Sequence, residues 1–192
     1  MDRRSCVKSL VTLGVCCGVL PTLGFASGLN PSIPNSAPPT PDDELAALKQ
    51  EKEFIVNWVR DLLETMDKEL DEKTRVKLIE GCGRGCYNRF KFKQDIAEKG
   101  KGDLDKLIEA YSQNFEIWKE GDKVHVRYGK KSARCYCPAA QIRRPQPNDL
   151  HCECTRTTHQ TIFETALGHP VKVEIVESLR RGGQTCHFQV KC

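Results

Sequence analysis

The hydrophobic pattern changes its period near residue 113, and this change constrains the fold of the chain most strongly. Before that point, apolar residues recur at steps of three and four, which predicts amphipathic helices. After it, apolar and polar residues alternate, which predicts strands buried on one face. Helices followed by an antiparallel sheet of about four strands, with one inserted helix, make the predicted fold α+β.

The first predicted helix is the longest and runs from Asp43 to about Leu70. Asp42 or Asp43 is placed to accept its first free backbone N–H groups. Its apolar residues form one stripe, which we expect to pack in the core. The stripe comprises Leu45, Leu48, Ile55, Trp58, Val59, Leu62, Leu63, Met66 and Leu70.

Three shorter helices are predicted next. The first covers about Glu72 to Glu80 and is expected to end at Gly81, because glycine suits the left-handed turn that ends helices. The next should start near Cys86 and reach Ala97, and the last should follow from Asp103. The residues expected on the buried side of this last helix are Leu104, Leu107, Ile108 and Tyr111.

The second half predicts two β-hairpins separated by one helix. The first hairpin turns at Glu120–Asp122 and the second turns at Gly182–Gly183. The helix between them is expected to begin with a capping box at Thr157–Gln160 and to end at Leu167.

Residues 1–26 have the features of an export signal. A charged start with Arg3 and Arg4 precedes an apolar run from Leu10 to Leu20, and Ala26 offers a cleavage site. The paired arginines are similar to a twin-arginine signal, and the alternatives are a general secretory signal and a retained membrane anchor. We therefore expect export across the bacterial cytoplasmic membrane to the periplasm or cell envelope, with membrane contact only if the signal stays uncleaved.

Residues 27–42 form a Pro-rich linker, and residues 43–192 form one cysteine-rich domain. The 30 Lys and Arg residues of the chain nearly balance its 26 Asp and Glu residues, and the two signs are interspersed. A concentrated basic face is therefore not expected, which excludes nucleic acid as a partner. The pattern gives no oligomeric state.

The cysteines supply the candidate site. Of 11 cysteines, three fall in the signal, and six of the other eight form close pairs. The predicted metal ligands are Cys82, Cys86, Cys135, Cys137, Cys152 and Cys154. The first pair is expected at a glycine-rich helix start, where the dipole favours thiolate. Each of the other pairs is expected to place two sulfurs on one side of an extended segment. Zinc is the expected metal, and an iron–sulfur cluster is the other cofactor considered.

Three other roles for the cysteines stay open. Eight cysteines in an exported protein are compatible with a disulfide-stabilised binding module without catalysis. Some are compatible with reduced core packing, which is the role we expect for Cys186. A thiolate at Cys82 or Cys86, beside Arg84 and paired with a histidine, is compatible with a small hydrolase that acts on a cyclic or amide compound. The candidate partners are His125, His151, His159, His169 and His187.

The segment from Leu167 to Leu179, followed by Arg181-Gly182-Gly183, Cys186 and Phe188, resembles the closing part of the 4-vinyl-reductase-type domain. Together with the motifs Cys-Gly-Arg-Gly-Cys, Cys-Tyr-Cys-Pro and Cys-Glu-Cys, it is similar to uncharacterised cysteine-rich bacterial proteins, and more distantly to the aminothiazoline-carboxylate hydrolase family. The resemblance implies an α+β domain with a small-molecule pocket between helices and sheet, and with cysteines that hold metal.

Overall fold

The computed structural model describes residues 40–146 and 149–192. The predicted export signal and the predicted linker up to residue 39 lie outside these residues. The helices are α1 (Pro41–Glu69), α2 (Glu72–Arg89), α3 (Lys91–Lys99), α4 (Leu104–Ser112) and α5 (Cys152–Leu167). The strands are β1 (Glu116–Glu120), β2 (Lys123–Arg127), β3 (Lys172–Glu177) and β4 (His187–Lys191). Within the described ranges, no helix combines the length and the apolar character needed to cross a membrane.

The four strands form one antiparallel sheet in the order β1-β2-β4-β3, and the predicted α+β fold is confirmed. β1 and β2 are joined by a tight turn at which Gly121 has a φ of 62°. β4 lies between β2 and β3, so the two predicted hairpins join edge to edge. The alternating apolar residues of these strands face one side, where Val124, Val126 and Phe188 are almost fully buried.

The core lies between this face of the sheet and α3, α4 and α5. α4 follows Asp103 as predicted, and the Asp103 carboxylate caps it by accepting hydrogen bonds from the backbone N–H groups of Asp105 and Lys106. α5 ends as predicted at Leu167, and Gly168 follows it with a φ of 75°. Cys186 is buried in this core, which confirms the prediction made for it.

The prediction that α1 packs in the core is wrong. None of its residues is buried, and Leu48, Ile55 and Trp58 are 62%, 51% and 59% exposed. At 29 residues α1 is about 43 Å long, so the helix extends well beyond the part that meets the domain. The helix is attached near its C-terminal end, where the Arg60 Nε donates a hydrogen bond to the Ile142 carbonyl at 2.9 Å.

Candidate functional site

α2 runs unbroken through the Cys82–Cys86 motif, so the helix end predicted at Gly81 and the helix start predicted near Cys86 are both wrong. The reason is a close helix crossing. A Cβ at Gly83 would lie 2.4 Å from the carbonyl oxygen of Cys154 in α5. The hydroxyl of Thr158 also donates a hydrogen bond to the Gly83 carbonyl at 3.1 Å. Glycine at this position allows two helices to touch and does not make a turn.

Cys82 and Cys86 are therefore one turn apart on α2, where side chains four residues apart are neighbours. They lie well inside the helix, so the predicted support from the N-terminal dipole does not apply to them. The Lys93 ammonium instead donates a hydrogen bond to the Cys86 sulfur at 2.8 Å. This ammonium lies 5.0 Å from the ring centre of Phe90, which helps to hold it in place.

α5 begins at Cys152, five residues before the predicted start, so the predicted capping box is also wrong. The start is fixed by tertiary contacts. The Asp149 carboxylate accepts a hydrogen bond from the His151 backbone N–H at 2.8 Å. It also forms an ion pair with the Arg180 guanidinium at 2.6 Å. The buried arginine thus holds the residues that lead into the helix.

The helical start separates Cys152 from Cys154, which were predicted to face the same side. Two residues in an α-helix are about 200° apart around the axis, so these side chains point in nearly opposite directions. The Cys152 sulfur lies 2.8 Å from the Ser178 hydroxyl. The pKa of the Cys152 thiol is raised to about 11, mainly by burial and less by the sulfurs of Cys186 and Cys135, against the lowering effect of the Ser178 hydrogen bond.

The charges of thiols from two other segments act on the Cys154 thiol. The pKa of the Cys154 thiol is raised to about 12, first by burial and then by the sulfurs of Cys137, Cys86 and Cys82, while the Lys93 ammonium opposes this shift. We refer to Cys82, Cys86, Cys137 and Cys154 as the Cys154 cluster. It unites α2, the loop after β2 and the first turn of α5.

His151 borders the Cys154 cluster. Its Nε2 lies 3.4 Å from the Cys137 sulfur. Burial, and next the Arg180 guanidinium, lower the pKa of His151 to about 4, so the imidazole is neutral at pH 7. A neutral imidazole can act as a hydrogen-bond partner or as a metal ligand.

Cys135, Cys152 and Cys186 form a second group, which adjoins the first because the charge of Cys137 also raises the pKa of Cys135. Burial raises the pKa of the Cys186 thiol, and the sulfur of Cys135 is among the further causes. Burial also raises the pKa of the Cys135 thiol. Of the six predicted ligands, the structure thus places four in the Cys154 cluster and the other two beside a core cysteine.

A buried Tyr–His–Tyr network lies next to these thiols and was not predicted. The imidazole of His159 lies 3.2 Å from the Tyr111 hydroxyl and 3.1 Å from the Tyr128 hydroxyl. Burial lowers the pKa of His159 to about 3, so one ring nitrogen donates a hydrogen bond and the other accepts one. Burial raises the pKa of Tyr128 far above its usual range, with smaller effects from the sulfurs of both thiol groups. The spacing of His159 from Ile162 and Phe163 on α5 is the sequence signal for its burial.

Two further histidines, in β2 and β4, lie on the outer face of the sheet. His125 Nδ1 lies 2.9 Å from His187 Nε2, and the Trp118 ring stacks on His125 with centroids 4.9 Å apart. His169 is exposed after the end of α5. None of these three borders the Cys154 cluster among the contacts of the described residues.

The thiols are not arranged around a common centre. Over residues 40–146 and 149–192, no three or more His, Cys, Asp or Glu side chains have a geometry that would hold a metal ion. All eight cysteines in this part of the chain are free. The donor set of the Cys154 cluster, four thiols beside a neutral imidazole, is of the type that suits zinc and iron–sulfur clusters.

Comparisons with known proteins give a family and one structural similarity. The crystal structure of a vinyl-4-reductase family protein from Methanocaldococcus jannaschii is similar to 73% of this chain and 80% of that chain, with 10% sequence identity and a TM-score of 0.33. No curated protein matches the sequence. A family described as of unknown function, DUF6144, matches residues 43–192. This match covers most of the length of the chain, and the chain therefore belongs to the DUF6144 family.

Proposed function

We propose that this chain is an exported domain that binds a soft metal, as a zinc ion or an iron–sulfur cluster, through the Cys154 cluster. The observation that supports the proposal most is the surroundings of the Cys154 thiol. Three other sulfurs, from α2 and from the loop after β2, lie close enough to raise its pKa.

The electrostatics of the cluster give the physical reason for a metal. Neighbouring thiolates repel one another unless a positive charge compensates them, and the partial burial of Cys154 together with its neighbouring sulfurs holds this thiol in its protonated form. A bound divalent cation supplies that charge and displaces the protons. Metal binding would turn the four sulfurs toward one centre, with Cys135 and Cys152 left outside the coordination shell.

Metal content of the purified full chain tests this proposal. Cys154→Ser should remove the metal, because the Cys154 thiol is the one on which the charges of the three others act. Cys192→Ser is the matched control, since Cys192 is an exposed thiol outside both groups. We expect metal in the wild-type chain and in the control variant, and little in Cys154→Ser. Equal metal content in both variants would contradict the proposal.

Thiol counting separates the two alternative functions. Four disulfides and no metal would support a non-catalytic binding module. A metal-free protein in which Cys82 or Cys86 alone reacts rapidly with an alkylating agent near pH 6 would support a hydrolase with a cysteine nucleophile.

The proposal also includes export and a small-molecule ligand. The export part is tested by N-terminal sequencing of the protein recovered from the bacterial cell envelope. Cleavage after Ala26 predicts a mature chain that begins at Ser27. Recovery from the cytoplasm with an intact Met1 would contradict it.

A further inference from the structure

A cavity of about 790 Å³ opens between α1 and the loop that follows β2. This volume is within the range of small-molecule sites in proteins. Its lining includes five arginines: Arg60, Arg134, Arg143, Arg144 and Arg180. Glu64 is the acidic residue among the described residues that line it. The lining therefore concentrates positive charge in a chain whose charges are otherwise interspersed.

One wall of the cavity is built around a buried arginine. Arg180 is 3% exposed, and its Nε donates a hydrogen bond to the Asp149 carboxylate at 2.8 Å. Its other nitrogens donate to the backbone carbonyls of Ala140, Arg143 and Arg144. These bonds fix the loop before any ligand binds, which reduces the entropy lost on binding.

A second arginine carries an unsatisfied donor. The Arg143 side chain is 9% exposed and forms ion pairs with Asp67 and, at 3.8 Å, with Asp149. Its Nε is buried and has no hydrogen-bond partner among the described residues. A buried donor without a partner is costly, so the Arg143 side chain is held in place by its two ion pairs and not by a complete set of hydrogen bonds.

Two of the other three arginines at the cavity are free to meet a ligand, while Arg60 donates hydrogen bonds to Asn57 and to the Ile142 carbonyl. Arg134 and Arg144 are exposed, and within the part of the chain that the structure describes neither guanidinium forms an ion pair or hydrogen bond. The side chains of Ile142 and Leu179 supply an apolar surface beside them.

We propose that this cavity binds a small organic anion, in which a carboxylate or phosphate group is joined to an apolar body. The planar guanidinium group matches both anions with paired hydrogen bonds. The inference rests on the small-molecule part of the proposed function, for which it names the site and the class of ligand. It does not depend on a metal at the Cys154 cluster.

Calorimetric titration of the full chain tests the site with three probes that share an octyl body. Nonanoate carries a carboxylate, octyl phosphate carries a phosphate group, and octyl glucoside is uncharged. We expect saturable one-to-one binding of at least one of the two anions and no comparable binding of the glucoside. The stronger of the two anions identifies the preferred head group.

Charge variants locate the binding. Arg134→Gln combined with Arg144→Gln should weaken anion binding tenfold or more, since charge-assisted hydrogen bonds are lost. Lys130→Gln combined with Lys131→Gln removes the same charge from exposed residues that do not line the cavity, and should leave binding within about twofold. Glu64→Gln removes the opposing charge and should tighten binding by up to about fivefold.

Three results would overturn the inference: no binding of either anion, equal binding of the glucoside, or equal losses in the arginine and lysine variants. The tightening expected for Glu64→Gln cannot arise from misfolding. Metal content measured on the same samples separates this inference from the metal proposal, because the arginine variants should keep the metal content of the wild-type chain.

Discussion

Replacement of Gly83 by alanine tests the helix crossing on which the Cys154 cluster depends. The new Cβ would lie 2.4 Å from the Cys154 carbonyl oxygen and 2.8 Å from the Thr157 Cβ, and the first of these is a backbone atom that cannot rotate away. Overpacking of this kind costs about 1–3 kcal/mol. Separation of the helices would also break the Thr158–Gly83 hydrogen bond, worth about 1 kcal/mol. The helix propensity of alanine returns up to about 1 kcal/mol, so we expect a net destabilisation of about 1–3 kcal/mol.

Gly81 provides the control on the same helix. A Cβ at Gly81 would have nothing within 4 Å, so Gly81→Ala should stabilise the chain by about 0.5–1 kcal/mol through helix propensity alone. The free energy of unfolding, measured in urea, should therefore differ by about 1.5–4 kcal/mol between the two variants, with equal slopes. The metal content should fall in Gly83→Ala only, since α2 carries Cys82 and Cys86. Equal stability of the two variants would refute the close crossing.

Three further predictions concern stability. Leu48→Ala should change the free energy of unfolding by less than about 0.5 kcal/mol, because this side chain is 62% exposed. Leu107→Ala should lower the free energy of unfolding by about 2–5 kcal/mol, because this side chain is fully buried. A large loss of stability in Leu48→Ala would show that α1 is covered in solution. Asp149→Asn should lower it by about 3–5 kcal/mol, because Arg180 would stay buried without its counter-charge, and an unchanged urea midpoint would contradict this. Burial holds the pKa of His159 at about 3, whereas a histidine in the unfolded chain has a pKa near 6.5. Between these two pH values His159 is protonated in the unfolded chain and neutral in the folded chain. Stability should therefore fall as the pH drops below about 6.5, by up to about 1.4 kcal/mol per pH unit from this residue, and an equal slope in His159→Gln would exclude His159 as its source.

The fold was predictable because its local signals agree with its packing. Alternation in β1 to β4 places Val124, Val126 and Phe188 on the core side, and the caps at Asp103 and Gly168 act within their own helices. Periodicity alone therefore identifies the class, the strands and most helix ends. The same signal failed for α1, because a stripe shows which side of a helix is apolar but not whether anything lies against that side.

The site was less predictable because glycine and cysteine have more than one structural role. Gly81 was interpreted as a helix-ending turn residue and the Cys82–Cys86 motif as a glycine-rich helix start, yet the packing of α2 on α5 uses Gly83 for close approach inside a helix. The start of α5 depends on Arg180, which binds Asp149 from 31 residues away, and local sequence does not contain that information. Once Cys152 is helical, its spacing from Cys154 separates two sulfurs that an extended chain would have placed together.

X-ray absorption at the zinc or iron edge of the purified full chain tests the central claim most directly. The account predicts a bound metal whose first shell consists mainly of sulfur, at about 2.3 Å if the metal is zinc, and which is lost in Cys154→Ser but kept in Cys192→Ser. A first shell of oxygen and nitrogen alone, or a sulfur shell unchanged in Cys154→Ser, would contradict a metal site at the Cys154 cluster.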